Sequence, residues 1–210
     1  PATAAPTAGA KGILIQAAHT VTINTTASMD ELTINGVLEL ANSGKMQVAN
    51  GTGNDVVVSG TGRLWVTNTV DNYNVAVTFA GAANLTVATG GRVTIGNGGV
   101  IGSGWDGFAT GAAHQWADAS IFEWNNTGTF AASGLTFFQN AVAGVVPIFR
   151  ITQIGATSPG GGTATIINGL TQVRANFGWI GVGNKTFRDG ICGSATMTLP
   201  ATVGTINING

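Results

Sequence analysis

The sequence predicts an all-β chain wound as a right-handed parallel β-solenoid (β-helix) with coils of about 18–20 residues, on three observations: short alternating strands, their regular recurrence, and turn-forming residues between them. Apolar and polar residues alternate in Val21-Thr22-Ile23, Leu32-Thr33-Ile34, Leu38-Glu39-Leu40, Met46-Gln47-Val48, Leu64-Trp65-Val66, Leu85-Thr86-Val87 and Val93-Thr94-Ile95. Period two over so few residues describes short, half-buried strands. No window carries a long apolar stripe of helical period.

Corresponding strands recur. Val21, Leu38, Val56, Val75 and Val93 follow one another in sequence steps of 17, 18, 19 and 18, and Met46, Leu64 and Leu85 in steps of 18 and 21. In the C-terminal half Phe130, Phe149, Ile167, Phe187 and Ile206 step by 19, 18, 20 and 19, while Leu135, Ile154, Val173 and Ile191 step by 19, 19 and 18. A repeat of this length with two or three strands suits a coil that circles a core and returns one rung higher. A β-sandwich is the alternative, but it gives no reason for equivalent strands to recur in step. Rungs lie about 4.8 Å apart, so roughly ten coils predict a rod on the order of 50 Å long. Right-handed winding is expected from the general preference of parallel crossovers. Glycine and asparagine fit the corners, where positive backbone angles and side chains that bond turn backbone are needed. The outward positions are taken by Thr, Gln, Glu and Trp65.

Residues 1–10 read as a small, polar, flexible leader, and a start at Pro1 suggests a processed or truncated N-terminus. Residues 11–210 are expected to form one solenoid domain. The strand pattern breaks near 99–120, a stretch rich in glycine and aromatic residues, which predicts a protruding loop or a joint between two halves.

Composition narrows the function. The chain has 33 glycines but only 8 Lys plus Arg and 9 Asp plus Glu, for a formal net charge of −1. Without a basic excess or a Lys/Arg cluster, nucleic acid is not an expected partner. Near-zero charge weakens mutual repulsion between copies, which favours self-association or contact with other surface proteins. The longest apolar runs are strands such as Val56-Val57-Val58, far short of a membrane span. Cys192 is the only cysteine, so neither an internal disulfide nor a cysteine-based metal site is expected; its glycine-flanked setting predicts a small buried residue. No cofactor, metal or catalytic residue is predicted.

One segment concentrates acids, histidine and indoles. Trp105, Asp106, His114, Trp116 and Asp118, followed by Glu123 and Trp124, form the candidate ligand-binding patch. Indole faces stack on sugar rings and acids or imidazole fix hydroxyls, so the candidate ligand is a polysaccharide. The alternative is a glycine-rich loop pinned to the rod by its aromatic residues. Asp30 and Glu31 are adjacent and would point to opposite faces of a strand, and Asp55, Asp71 and Asp189 are scattered, so a pair of glycosidase carboxylates is not expected. Arg150 and Arg188, both after phenylalanine, are expected at coil edges with their stems over apolar surface. A row of threonines for ice binding is not expected, because Thr22 and Thr94 would align with Glu39, Val57 and Ala76.

His19-Thr20-Val21-Thr22-Ile23 followed by Leu32-Thr33-Ile34-Asn35-Gly36 resembles the opening coils of large secreted surface proteins of the Bacteroidota and is similar to the start of G8-type β-helical domains. Ile121-Phe122-Glu123-Trp124, Pro147-Ile148-Phe149-Arg150-Ile151 and Lys185-Thr186-Phe187-Arg188 look like the same class. The resemblance implies an exported, extracellular or cell-surface protein of the kind carried by type IX secretion, and implies no catalytic residues. The expected function is therefore a structural or adhesive segment able to assemble into a fibre or surface layer. A carbohydrate-binding module using the aromatic segment, or a β-helical polysaccharide-degrading enzyme, is the alternative.

Overall fold

A computed structural model describes residues 12–68, 76–96, 114–125, 136–153, 156–157, 165–178, 183–199 and 204–209. The first turn is built from β1 (Ile13–Ile15), β2 (Thr20–Ile23) and β3 (Thr26–Met29), and the second from β4 (Leu32–Ile34), β5 (Val37–Asn42) and β6 (Lys45–Val48). Next come β7 (Val56–Val58), β8 (Arg63–Asn68) and β9 (Val77–Phe79), then β10 (Leu85–Val87), β11 (Arg92–Ile95), β12 (Gln115–Trp116) and β13 (Ile121–Trp124). Three further turns contain β14 (Thr136–Phe137), β15 (Ile148–Ile151) and β16 (Ala156–Thr157); β17 (Thr165–Ile167), β18 (Leu170–Val173) and β19 (Phe177–Gly178); and β20 (Lys185–Phe187), β21 (Ile191–Gly193) and β22 (Met197–Thr198), followed by β23 (Ile206–Ile208).

Every pairing between these strands is parallel. One eight-stranded sheet, β2-β5-β8-β11-β13-β15-β18-β21, runs through the molecule. It is flanked by β1-β4-β7-β10-β12 and β3-β6-β9 in the N-terminal half, and by β14-β17-β20-β23 and β16-β19-β22 in the C-terminal half. The chain is an all-β parallel solenoid of three faces. Seven rung steps across the through-running sheet give it a length of about 34 Å, shorter than the expected rod because there are fewer, longer coils.

The register departs from the even spacing. Val21 pairs with Leu38 as expected, but Leu38 pairs with Leu64, whereas Val56 belongs to the flanking sheet beside Leu32. Met46 pairs with Val77 rather than Leu64. Thr20 meets Val37, while Arg63 meets Arg92 and Arg92 meets Ile121, so the coil grows by more than half between the first turn and the middle ones. The apolar triplets look alike whichever face they occupy, so regular spacing counted faces as coils. The predicted coil length holds near the ends and fails in the middle.

A small-residue corner fixes the true register. Gly36, Gly62, Gly91, Ser120, Pro147, Gly169 and Gly190 each stand immediately before a strand of the through-running sheet. Their carbonyls carry the stack upward: Arg63 N donates to Gly36 O, Arg92 N to Gly62 O, Ile121 N to Gly91 O and Ile148 N to Ser120 O, at 2.8–3.0 Å. A Cβ on Gly62 would collide with Ile34 O, and one on Gly169 with Pro147 O. At Gly36, Gly62, Gly91 and Gly169 the corner brings successive turns too close for a side chain, whereas Ser120 and Pro147 are accommodated on the rungs between Gly91 and Gly169.

Inside, like stacks on like. One inward column reads Val21, Leu38, Leu64, Val93, Phe122, Phe149, Thr171 and Ile191, and the next Ile23, Leu40, Val66, Ile95, Trp124, Ile151, Val173 and Gly193. Leu38, Leu64, Val93, Phe122 and Phe149 are at most 1% exposed. Burial of such side chains is the main stabilising term, roughly 1.5–3 kcal/mol each.

The expected leader, residues 1–10, lies outside the described residues, as does 99–113 of the expected loop or joint. Residues 114–120 do not protrude: they form β12 and the turn into β13, within the stack. Cys192 is exposed rather than buried, because its place in β21 opposite Gln172 is an outward one.

Candidate functional site

The described aromatic residues of the segment are part of the core. His114 lies opposite Leu85 at the head of an inward column that begins Ile13, Leu32, Val56, and it is 4% exposed. Its Nδ1 accepts the Leu85 amide at 3.1 Å, and its ring stands 4.6 Å from that of Phe79. Trp116 ends the next inward column, after Ile15, Ile34, Val58 and Val87. Its indole meets Phe122 and Phe138 edge-on at 6.0 and 5.1 Å. Trp124 is wholly buried. Neither indole offers a face to a sugar ring; both fill the interior. Asp118 is exposed, but it accepts the Val146 amide at 3.0 Å and so staples the turn below Pro147. Trp105 and Asp106 lie outside the described residues. The structure thus separates the described part of the expected patch into core and corner residues.

The other acids are also engaged. Asp55, 1% exposed, accepts the amides of Gly51 and Asn84 at 2.8 Å each and the Asn84 side chain at 3.1 Å. Asp189 pairs with Arg188 at 2.9 Å, and Arg188 in turn donates to Ala141 O and Val145 O. Arg188 is therefore a corner residue, as expected. Asp71 lies outside the described residues. Among the described residues, no three His, Cys, Asp or Glu side chains come together to hold a metal ion.

The polar constellation that folding assembles is elsewhere, on the outer face of the through-running sheet. One outward column reads Thr22, Glu39, Trp65, Thr94, Glu123, Arg150, Gln172 and Cys192; the one beside it contains Arg63, Arg92 and Ile121. Glu123 is the hub. It is 5% exposed, and its two oxygens each take a guanidinium: Oε1 from Arg63 and Oε2 from Arg92, both at 3.4 Å. Thr94 Oγ1 accepts Arg63 Nε at 3.0 Å and donates to Glu123 Oε1 at 3.4 Å. The Arg63 guanidinium also lies 4.3 Å above the centre of the Trp65 ring, a cation–π contact worth about 0.5–1 kcal/mol. Thr67 and Thr22 both donate to Glu39.

Arg150 is not at a coil edge. It lies in mid-sheet beside Glu123, and its Nε donates to Gln172 at 3.0 Å. Burial lowers the pKa of the Arg150 guanidinium, Arg92 adds to this, and Glu123 opposes both, with exposed Arg174 pushing in the same direction as Arg92. Burial likewise lowers that of Arg63, with Glu123 and Glu39 opposing and Arg92 reinforcing. Both remain charged at neutral pH. Four guanidinium groups thus crowd a face that holds two carboxylates.

Sequence reading missed Arg63 and Arg92 because they stand far apart in the chain and only the true register sets them side by side. The available signal was positional: Gly62-Arg63-Leu64 and Gly91-Arg92-Val93 repeat the same corner, cation and apolar residue.

By its fold and this face the chain is a parallel β-solenoid whose outer sheet carries a glutamate-centred arginine cluster. It matches no family model, no curated protein and no solved structure in comparisons with each.

Proposed function

We propose that the chain is a structural or adhesive segment of a secreted, cell-surface protein, acting as a rigid spacer within a fibre or surface layer. The observation that supports it is the single eight-stranded parallel sheet over an inward column that stays buried from Leu38 to Thr171. Such a stack transmits position along its axis and resists local opening, since each turn is hydrogen-bonded to the turns on either side. Asp55 and Asp118 accept backbone amides, Glu39 accepts threonine hydroxyls, and Glu123 and Asp189 pair with arginines, so these carboxylates tie the scaffold together. Among the described residues no helix is long and apolar enough to cross a membrane, and low net charge suits lateral packing of copies.

Antibody raised against the purified chain should label intact, unpermeabilised cells of the source organism, and electron microscopy of the labelled material should show it in rods or filaments. Labelling only after permeabilisation contradicts the surface role. Surface label on isolated monomers contradicts assembly.

A further inference from the structure

The arginine cluster is more than a scaffold feature, because its charges do not balance. The face carries Arg63, Arg92, Arg150 and Arg174, half of the cations of the chain, against Glu39 and Glu123, two of its nine acids. Glu123 is spent on Arg63 and Arg92. Among the described residues, Arg150 has only the neutral Gln172 as a hydrogen-bond partner and neither it nor Arg174 forms an ion pair. The surplus is thus local, on a molecule whose total charge is −1.

The surplus is also linear. Arg63, Arg92, Arg150 and Arg174 occur on or beside β8, β11, β15 and β18, which span four rung steps, about 19 Å along the solenoid axis. Partly exposed neutral groups flank Arg150 and Arg174: Gln172 in the same column as Arg150, and Asn125 and Thr152 just past β13 and β15. We propose that this face binds an extended acidic polysaccharide lying along the axis, its carboxylate or sulfate groups on Arg150 and Arg174 and its hydroxyls on the intervening amides and hydroxyls. Planar guanidinium groups suit such anions because they can donate two hydrogen bonds at once. An incoming anion would also relieve the crowding of Arg150 by Arg92 and Arg174. Single-stranded nucleic acid fits less well, since it is held by bases stacked on open aromatic faces. Here the aromatic residue of the column is Trp65, and its ring is covered by Arg63. The inference deepens the adhesive reading and rests on it.

The test is titration of the purified chain with polygalacturonate oligosaccharides, at about 50 and 200 mM salt. Binding is expected to weaken with salt. The double variant R150Q/R174Q, which leaves both Glu123 ion pairs intact, should bind about tenfold more weakly with an unchanged circular dichroism spectrum. Lys45→Gln, on the face that contains β6, should bind as the unaltered chain does. No binding to polygalacturonate or to chondroitin sulfate, equal binding by the double variant, or equally tight binding of poly(dT) or poly-L-glutamate would overturn the proposal. Surface labelling that persists in the face of such a result would leave the structural role standing.

Discussion

The N-terminal turns and the middle turns solve the same packing problem with different side chains. From β4 to β11 the inward columns under the through-running sheet and the β4-β7-β10 sheet are aliphatic, with Leu38, Leu64 and Val93 on one and Ile34, Val58 and Val87 on another. From β12 to β15 they become aromatic: Trp116, Phe122, Trp124, Phe137, Phe138 and Phe149 are buried together. Phe122 and Phe149 stack on adjacent rungs with centroids 5.9 Å apart and planes 13° from parallel, and Phe137 leans on Phe149 at 4.8 Å. The hub on the outer face, Glu123, sits in the strand between Phe122 and Trp124. The difference teaches that His114, Trp116 and Trp124, the residues of the middle turns with the most chemistry in them, serve here as filling. The polar interaction that matters lies on the opposite side of the same strand.

The contrast can be sharpened by truncation. Trp124→Ala, at the centre of the aromatic block, is expected to cost about 3–5 kcal/mol of unfolding free energy in urea titration. Leu64→Ala in the aliphatic block should cost about 2–4 kcal/mol, since a smaller cavity is left. An indole that truncates at no cost would break the account of the middle turns.

On the outer face, Glu123→Gln leaves Arg63 and Arg92 without their shared carboxylate. Because both arginines are about a quarter to a third exposed, the expected loss is about 1–2 kcal/mol rather than the larger penalty of a fully buried pair. Glu39→Gln, which removes a half-buried charge that has no ion pair among the described residues and acts on Arg63 only at a distance, should cost less.

In the C-terminal half the core admits a charge. Lys185 is 1% exposed, and burial lowers its pKa from 10.5. Between that lowered value and 10.5 the unfolded chain holds more protons than the folded one, so stability rises with pH across this interval. Lys185→Met should therefore raise the denaturation midpoint at pH 7, with the gain shrinking as pH approaches 10.5. A gain that does not change with pH would mean that packing, not charge, is responsible. The smallest effect is expected from Asp118→Ala, which removes one exposed hydrogen bond to Val146 and should cost less than about 1 kcal/mol.

The class of fold was legible because alternation and turn residues depend on local geometry alone. Leu38-Glu39-Leu40 and Leu64-Trp65-Val66 announce their inward and outward sides correctly, and Trp65 does face outward. Register was less legible, because Val56 and Leu64 are equally apolar yet belong to different faces. The discriminating signal was the residue before each strand, where Asn35-Gly36, Thr61-Gly62, Gly90-Gly91, Asn168-Gly169 and Asp189-Gly190 mark one corner. The candidate patch misled for a related reason. An indole in a strand of period two is read by its chemistry unless the face is known, and Trp116 and Trp124 have inward parity.

The register itself is open to a direct test by oxidative cross-linking in a Cys192→Ser background. Paired cysteines at Glu39 and Trp65 face each other on adjacent parallel strands, within the Cα separation that a disulfide tolerates, whereas Glu39 and Val57 lie on different sheets. Mass spectrometry should find an intramolecular disulfide in E39C/W65C and none in E39C/V57C. A bond in the second pair and not in the first would contradict this stack, and with it the arginine cluster that the stack assembles.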